Sequence, residues 1–282
     1  MAEGLTQTQG AFDVTRLAPE SAGRMVDAVN RTVANEGALK ERIAIVKRGQ
    51  RLTERLSIGQ SEGWFRPMLG DLLRQGISIV VNDIPITDAI AADIARQTGL
   101  AADWITQQNL YITPGASQGF DPHCDPHIVV VAHLYGRKTW TIFEKTLDNP
   151  VYDADTSTIA GPNEALPVRT TVTVAPGDCF VIPRGVYHSA VALTPASVHL
   201  AIGVAGARPV DYIWAMAENA MRESHLRADL APEAAKKEAQ AFVREFAFEP
   251  VALPRFARVP AAADSNGERF TFEDVLDALP GD

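Results

Sequence analysis

The stretch NLYITPGASQGFDPHCDPHIVVVAHLYGRKTW, residues 109–140, decides the fold. It alternates apolar runs with Gly, Pro and Asp, as short strands bounded by turns do. Within it His123 and Asp125 stand two residues apart. Side chains on a strand alternate faces, so an imidazole and a carboxylate at this spacing point the same way. Cys124, between them, is sent to the opposite face and reads as a buried apolar thiol rather than a ligand. A second stretch, VAPGDCFVIPRGVYHSAVALTPASVHLAIG at residues 174–203, places His188 on another predicted strand. Two imidazoles and one carboxylate on one side of a metal leave coordination positions open, the arrangement of non-haem Fe(II) sites.

Working outward, strands are expected at 77–81, 107–113, 128–134, 138–143, 169–174, 179–182, 186–193 and 198–204. That density of short strands implies a sandwich or barrel. The interval 147–167 is long enough for a lid or a substrate edge. Upstream, residues 1–12 are expected to be disordered. Pro19 opens a helix whose apolar face holds Met25, Val26, Val29 and Val33. Residues 39–56 carry Lys40, Arg42, Lys47, Arg48, Arg51 and Arg55 and read as a solvated face, with a docking surface for an acidic partner as the alternative. Helices follow at 65–73 and at 85–99, the latter capped by Thr87 or Asp88 with Ile90 and Ile94 buried. Downstream, Pro209 opens a helix with Val210, Ile213, Trp214, Ala217, Ala220 and Met221 on one side. Pro232 opens another with Ala235, Ala239, Phe242, Val243 and Phe246, and 270–279 reads as a last short helix. Such stripes must bury against the barrel or a second subunit.

The composition, 46% hydrophobic and 22% charged, is that of an ordinary globular chain. A formal charge of -9 argues against a general nucleic-acid binder, which needs a basic surface. No apolar run reaches membrane-spanning length, and MAEGLTQTQGAFD lacks the basic start and apolar centre of a signal peptide. Two cysteines, Cys124 and Cys179, make a disulfide framework unexpected, so the cytoplasm is the expected setting.

At NLYITPGASQGFDPHCD, GRKTW, PGDCFVIPRGVYH and SVHLAIG the sequence resembles the JmjC-type 2-oxoglutarate oxygenases, closest to the ribosomal oxygenase branch. The motifs occur in order across residues 77–206. The resemblance implies an all-β core with flanking helices: a double-stranded β-helix of the cupin type with a C-terminal helical segment. The expected organisation is a helical or irregular region at 1–76, the catalytic domain at 77–206, and a dimerising helical segment at 207–282. Too few residues follow Phe248 for the winged helix that ribosomal oxygenases usually carry. The resemblance also implies Fe(II) held by His123, Asp125 and His188, with 2-oxoglutarate and O₂ as cosubstrates. It assigns 2-oxoglutarate to Lys138, with Asn109 and Tyr111 lining the same pocket. The implied activity is hydroxylation, at Cβ of a His or Arg type residue, of a protein or ribosomally made peptide. Family members commonly carry glutamine where this chain has His133.

The remaining candidates weigh as follows. His127 shares the face of His123 and Asp125 by parity. Three ligands at i, i+2 and i+4 would span roughly 13 Å, too far for bonds of about 2 Å, unless Pro126 bends the chain. It is placed near the pocket mouth. His199 reads as a polar residue of the barrel interior. Alternation sends Arg137 and Lys138 to opposite faces, and an inward cation is costly without an anion. The resemblance selects Lys138. Two other readings stay open: a hydroxylase of a free amino acid or other small metabolite, and a metal-binding cupin without oxygenase turnover. Lys138 and Asn109 beside the triad argue against the last.

Overall fold

The structure, a computed structural model, describes residues 12–47, 49–52, 63–151, 165–222 and 237. Its helices are α1 (Pro19–Ala34), α2 (Glu36–Leu39), α3 (Phe65–Arg74), α4 (Asp88–Thr98) and α5 (Pro209–Ala220). Its strands are β1 (Thr15–Arg16), β2 (Ile43–Lys47), β3 (Gln50–Leu52), β4 (Ser78–Val81), β5 (Ile105–Pro114) and β6 (Ile128–Tyr135). They continue with β7 (Lys138–Thr146), β8 (Val168–Val174), β9 (Asp178–Ile182), β10 (Val186–Ala192) and β11 (Ala196–Val204). The described residues divide into two units, α5 lying in the second and all the other elements in the first.

The strands form an eight-stranded sheet, ordered β1-β9-β6-β11-β5-β4-β2-β3, and a three-stranded sheet, β10-β7-β8. Every named pairing is antiparallel. The architecture is a double-stranded β-helix with flanking helices.

Period two explains the layering. On β5, Leu110 and Ile112 face the helices and join Met25, Val29, Leu69, Ile90 and Ile94 in one apolar cluster. The intervening Asn109, Tyr111 and Thr113 face the barrel interior. A one-residue slip would exchange these sets, so burial pins the register. A second cluster, with Val131, Trp140, Ile142, Val172 and Phe180, fills the space between the sheets. Helix α4 shows how local chemistry sets an element. Thr87 Oγ1 accepts from the Ile90 amide at 3.3 Å, and Gly99 closes the helix with φ 73°. Gly136, at φ 67°, makes the β6–β7 turn; a Cβ there would lie 2.1 Å from the Ala196 carbonyl oxygen. That tight turn sets Lys138 at the head of β7.

Two expectations are corrected. Residues 43–47 and 50–52 are strands, which the reading of a solvated face did not include, and they extend the large sheet beyond β4. Ile45 pairs with Ile79 and is buried, while Lys47 and Arg51 remain exposed. The open edge of β4 supplied a partner that the count of basic residues could not reveal. The large sheet thus incorporates strands from residues 1–76, a region expected to be helical or irregular. Secondly, residues 121–127 do not form a regular strand; His123 makes only an isolated bridge, to His188. The expectations for residues 1–11, the helices from Pro232 and at 270–279, and most of the interval 147–167 lie outside the described residues.

Candidate metal centre

The segment around His123 runs beside β10. His123 and His188 exchange both backbone hydrogen bonds, at 3.1 and 2.8 Å. Directly opposed residues point to one face, so the imidazole rings meet with centroids 4.6 Å apart. Asp125 completes the group, its Oδ2 lying 3.4 Å from His188 Nε2. One donor atom from each of His123, Asp125 and His188 falls within 4.8 Å of the others.

The backbone sets the tautomers. His123 Nδ1 donates to the Asp121 carbonyl at 2.7 Å, and His188 Nδ1 to the Val186 carbonyl at 3.0 Å. A carbonyl can only accept, so both Nε2 atoms keep a lone pair for a metal. At His188 and Asp125 electrostatics favour the metal-binding forms. Burial, then the neighbouring His123, pushes the His188 imidazolium down to about 4. Burial pushes the Asp125 carboxyl up, but the summed pull of His123, His188 and His127 outweighs it and holds it below the usual range. Neutral imidazoles and an ionised carboxylate are the forms that bind metal. Cys124 is fully buried and packs with Phe143 and Tyr187, away from this cluster.

A cleft enclosing about 710 Å³, solvent-open space included, joins this centre to Lys138, Asn109, Tyr111, His127 and His199. Lys138 is 2% exposed. Its Nζ donates to Thr113 Oγ1 at 2.9 Å and to His199 Nδ1 at 3.4 Å. Among the described residues no carboxylate pairs with it. Burial pushes its ammonium down to about 7. Asn109 Oδ1 accepts from the Asp83 amide at 3.1 Å. Tyr111 stacks on His199, centroids 4.9 Å apart and planes 13° apart. Burial and the Asp125 charge raise the Tyr111 phenol, keeping it a donor.

His127 lies outside the triad, its Nε2 3.1 Å from Gln107 Nε2 at the cleft. His133 is buried opposite His199 on β6 and donates from Nε2 to the Gly136 carbonyl at 3.0 Å. It does not line the cleft. Sequence reasoning missed Thr113 and Ser78. Thr113 was within reach, since it continues the alternation of Asn109 and Tyr111. Ser78 gave no local signal and enters the cleft through the pairing of β4 with β5. Six buried side-chain atoms lack partners among the described residues: Ser78 Oγ, Gln108 Nε2 and Oε1, His133 Nδ1, Trp140 Nε1 and Ser197 Oγ.

A double-stranded β-helix enclosing a His-x-Asp and a distant His defines the class: a cupin-type fold with a facial metal triad. Residues 87–211 match the JmjC domain model. It is 37% identical over 91 residues to the bifunctional lysine-specific demethylase and histidyl-hydroxylase NO66 of Dictyostelium discoideum, covering 32% of this chain and 17% of that protein. Against rat ribosomal oxygenase 1 it is 42% identical over 84 residues, covering 29% of this chain and 14% of that one. The chain therefore spans less than a fifth of either relative. Among solved structures it is similar to the Escherichia coli ribosomal oxygenase YcfD in complex with cobalt and 2-oxoglutarate. That match has 18% identity and a TM-score of 0.46, covering 81% of this chain and 58% of that one.

Proposed function

We propose that this chain is an Fe(II)- and 2-oxoglutarate-dependent hydroxylase acting on a side chain of a protein or ribosomally made peptide, at Cβ of a His or Arg type residue. The observation that carries the reading is Lys138, a buried ammonium without a carboxylate partner among the described residues, in one cleft with the triad. An isolated buried cation is costly, and a dicarboxylate reaching from the metal to Lys138 would neutralise it. The surroundings fit such a group, because Ser78 and Trp140 both line the cleft and each has an orphaned polar atom that could bond to it.

In this reading His123, Asp125 and His188 hold the metal. Lys138 and Thr113 hold the distal carboxylate, while Asn109 and Tyr111 border the same space. Bound there, Fe(II) would couple oxidative decarboxylation of 2-oxoglutarate, releasing succinate and CO₂, to hydroxylation of a C–H bond by O₂. The protein's part is to position and to exclude water. His123 and His188 are held in their metal-binding tautomers by backbone carbonyls, and Trp140 walls the site against His188. No protein acid or base is assigned. The similar proteins described above, a histidyl-hydroxylase and a ribosomal oxygenase, support a protein substrate.

A homodimer contact is proposed for the segment from residue 207, of which 223–236 and 238–282 lie outside the described residues. Ile213 and Trp214 on α5, and Met221 just after it, are 60%, 56% and 62% exposed, more than a solvated helix requires. Cys124 and Cys179 are both buried and not joined by a disulfide, which supports a cytoplasmic setting. No helix among the described residues is long and apolar enough to cross a membrane. The function is tested by incubating the iron-loaded protein with 2-oxoglutarate and candidate peptides. Succinate release with a gain of one oxygen on a peptide supports it. Succinate release with oxygen gained only by a free amino acid transfers the activity to small molecules. Absence of any succinate refutes it.

A further inference from the structure

His199 has no role in the assignment above, yet the cleft is built around it. It is 3% exposed on β11, where it pairs in register with Tyr111 on β5 and with His133 on β6. Its ring lies flat on Tyr111, planes 13° apart, and parallel to His133 at 6.4 Å and 11°. Trp140 meets it edge-on at 5.1 Å. Neighbours on three strands thus define the plane of this imidazole.

Its Nδ1 lies 3.4 Å from Lys138 Nζ. An ammonium only donates, so Nδ1 accepts and the ring carries its proton on Nε2. Lys138 has three N–H bonds. Thr113 Oγ1 takes one, at 2.9 Å, and His199 takes a second. One is left. A lysine has a flexible four-carbon stem, and a single acceptor would leave its ammonium free to turn about that contact. Two acceptors on different strands fix the direction of the third N–H. Thr113, accepting from Lys138, keeps its own hydroxyl hydrogen for the same ligand.

We infer that His199 is a positioning residue: held by its ring stack, it orients the Lys138 ammonium toward the carboxylate of the cosubstrate. This rests on the reading of the cleft as a 2-oxoglutarate site.

The test is equilibrium binding of 2-oxoglutarate to Mn(II)-loaded protein by calorimetry, so that turnover plays no part. His199→Phe keeps a flat ring for the stack and removes the acceptor. His199→Asn removes the ring and keeps an acceptor near the position of Nδ1. The wild type binds, His199→Phe binds about tenfold or more weakly, as loss of one charge-assisted hydrogen bond implies, and His199→Asn recovers most of the affinity. Mn(II) affinity stays equal in all three. If His199→Phe proves too large to fold, which circular dichroism reports, His199→Leu serves for the same comparison. Wild-type affinity in the Phe or Leu variant overturns the inference. So does a folded Asn variant as weak as the Phe variant, since the ring alone would then matter. Failure of the wild type to bind 2-oxoglutarate overturns the cosubstrate reading itself, and this inference with it.

Discussion

Replacing Lys138 by methionine separates what the residue does for the cosubstrate from what it costs the fold. Methionine is unbranched and about as long, so it should leave no large cavity. Burial lowers the ammonium from 10.5 to about 7, a shift worth at most roughly 5 kcal/mol. Below pH 7 the folded protein carries that penalty in full. Between about 7 and 10.5 the unfolded chain binds the proton that the folded chain has released, so stability rises with pH. The slope approaches about 1.4 kcal/mol per pH unit. Methionine removes both penalty and slope, but it orphans Thr113 Oγ1 and His199 Nδ1. Each orphan costs about 1–3 kcal/mol. The two effects nearly offset at pH 7, leaving stability there close to wild type. Denaturant titrations at pH 7, 8 and 9 read the slope. The range stops at 9 because the buried Cys179 thiol, pushed up to about 12, then draws stability the other way.

The same variant should bind 2-oxoglutarate roughly ten- to a hundredfold more weakly, the worth of one hydrogen bond to a charged group. In the wild type that affinity should fall as pH rises above about 7, because only the ammonium form donates with full charge. A methionine variant that keeps the wild-type pH slope would show that Lys138 does not titrate there. Wild-type half-saturation by 2-oxoglutarate would show that the carboxylate is anchored elsewhere, and Arg137 would be tested next.

Asp125→Ala should lose iron and succinate formation while keeping the circular dichroism of the wild type, because apolar packing rather than three ligands stabilises the barrel; turnover by this variant would reject the triad. Cys124→Ser should keep turnover but melt earlier, since the thiol is fully buried beside Phe143 and Tyr187 and a hydroxyl there costs about 1–3 kcal/mol. Inactivity of a folded Cys124→Ser protein would contradict the direction assigned to that side chain. Trp214→Glu should shift a dimer toward monomer in light scattering, and a wild type that is already monomeric at micromolar concentration would remove the dimer proposal.

Local pattern was enough for much of this protein. Strands β5 to β11 stand within a few residues of where alternation and turn residues place them, because period two and Gly–Pro punctuation are properties of neighbouring residues. Thr87 and Gly99 bound α4 for equally local reasons. The His-x-Asp spacing pointed to the triad, although the reason offered was incomplete. These residues do not sit on a regular strand, and the backbone pair between His123 and His188 is what aims their rings together.

What lay beyond the sequence is whatever depends on pairing between distant segments. The basic stretch near residue 45 looked solvated until the edge of β4 took it as a partner. Ser78 reaches the cleft only through the register of β4 against β5. The column of His133, His199 and Tyr111 draws one residue from each of β6, β11 and β5. Alternation states which residues of one strand share a face. It does not state which residue of another strand will lie opposite, because that is settled by the burial of every face at once. The sequence alone therefore determined strands β4 to β11 and the chemistry of the donors, and the tertiary structure added β1 to β3 and decided which donors meet and what surrounds Lys138.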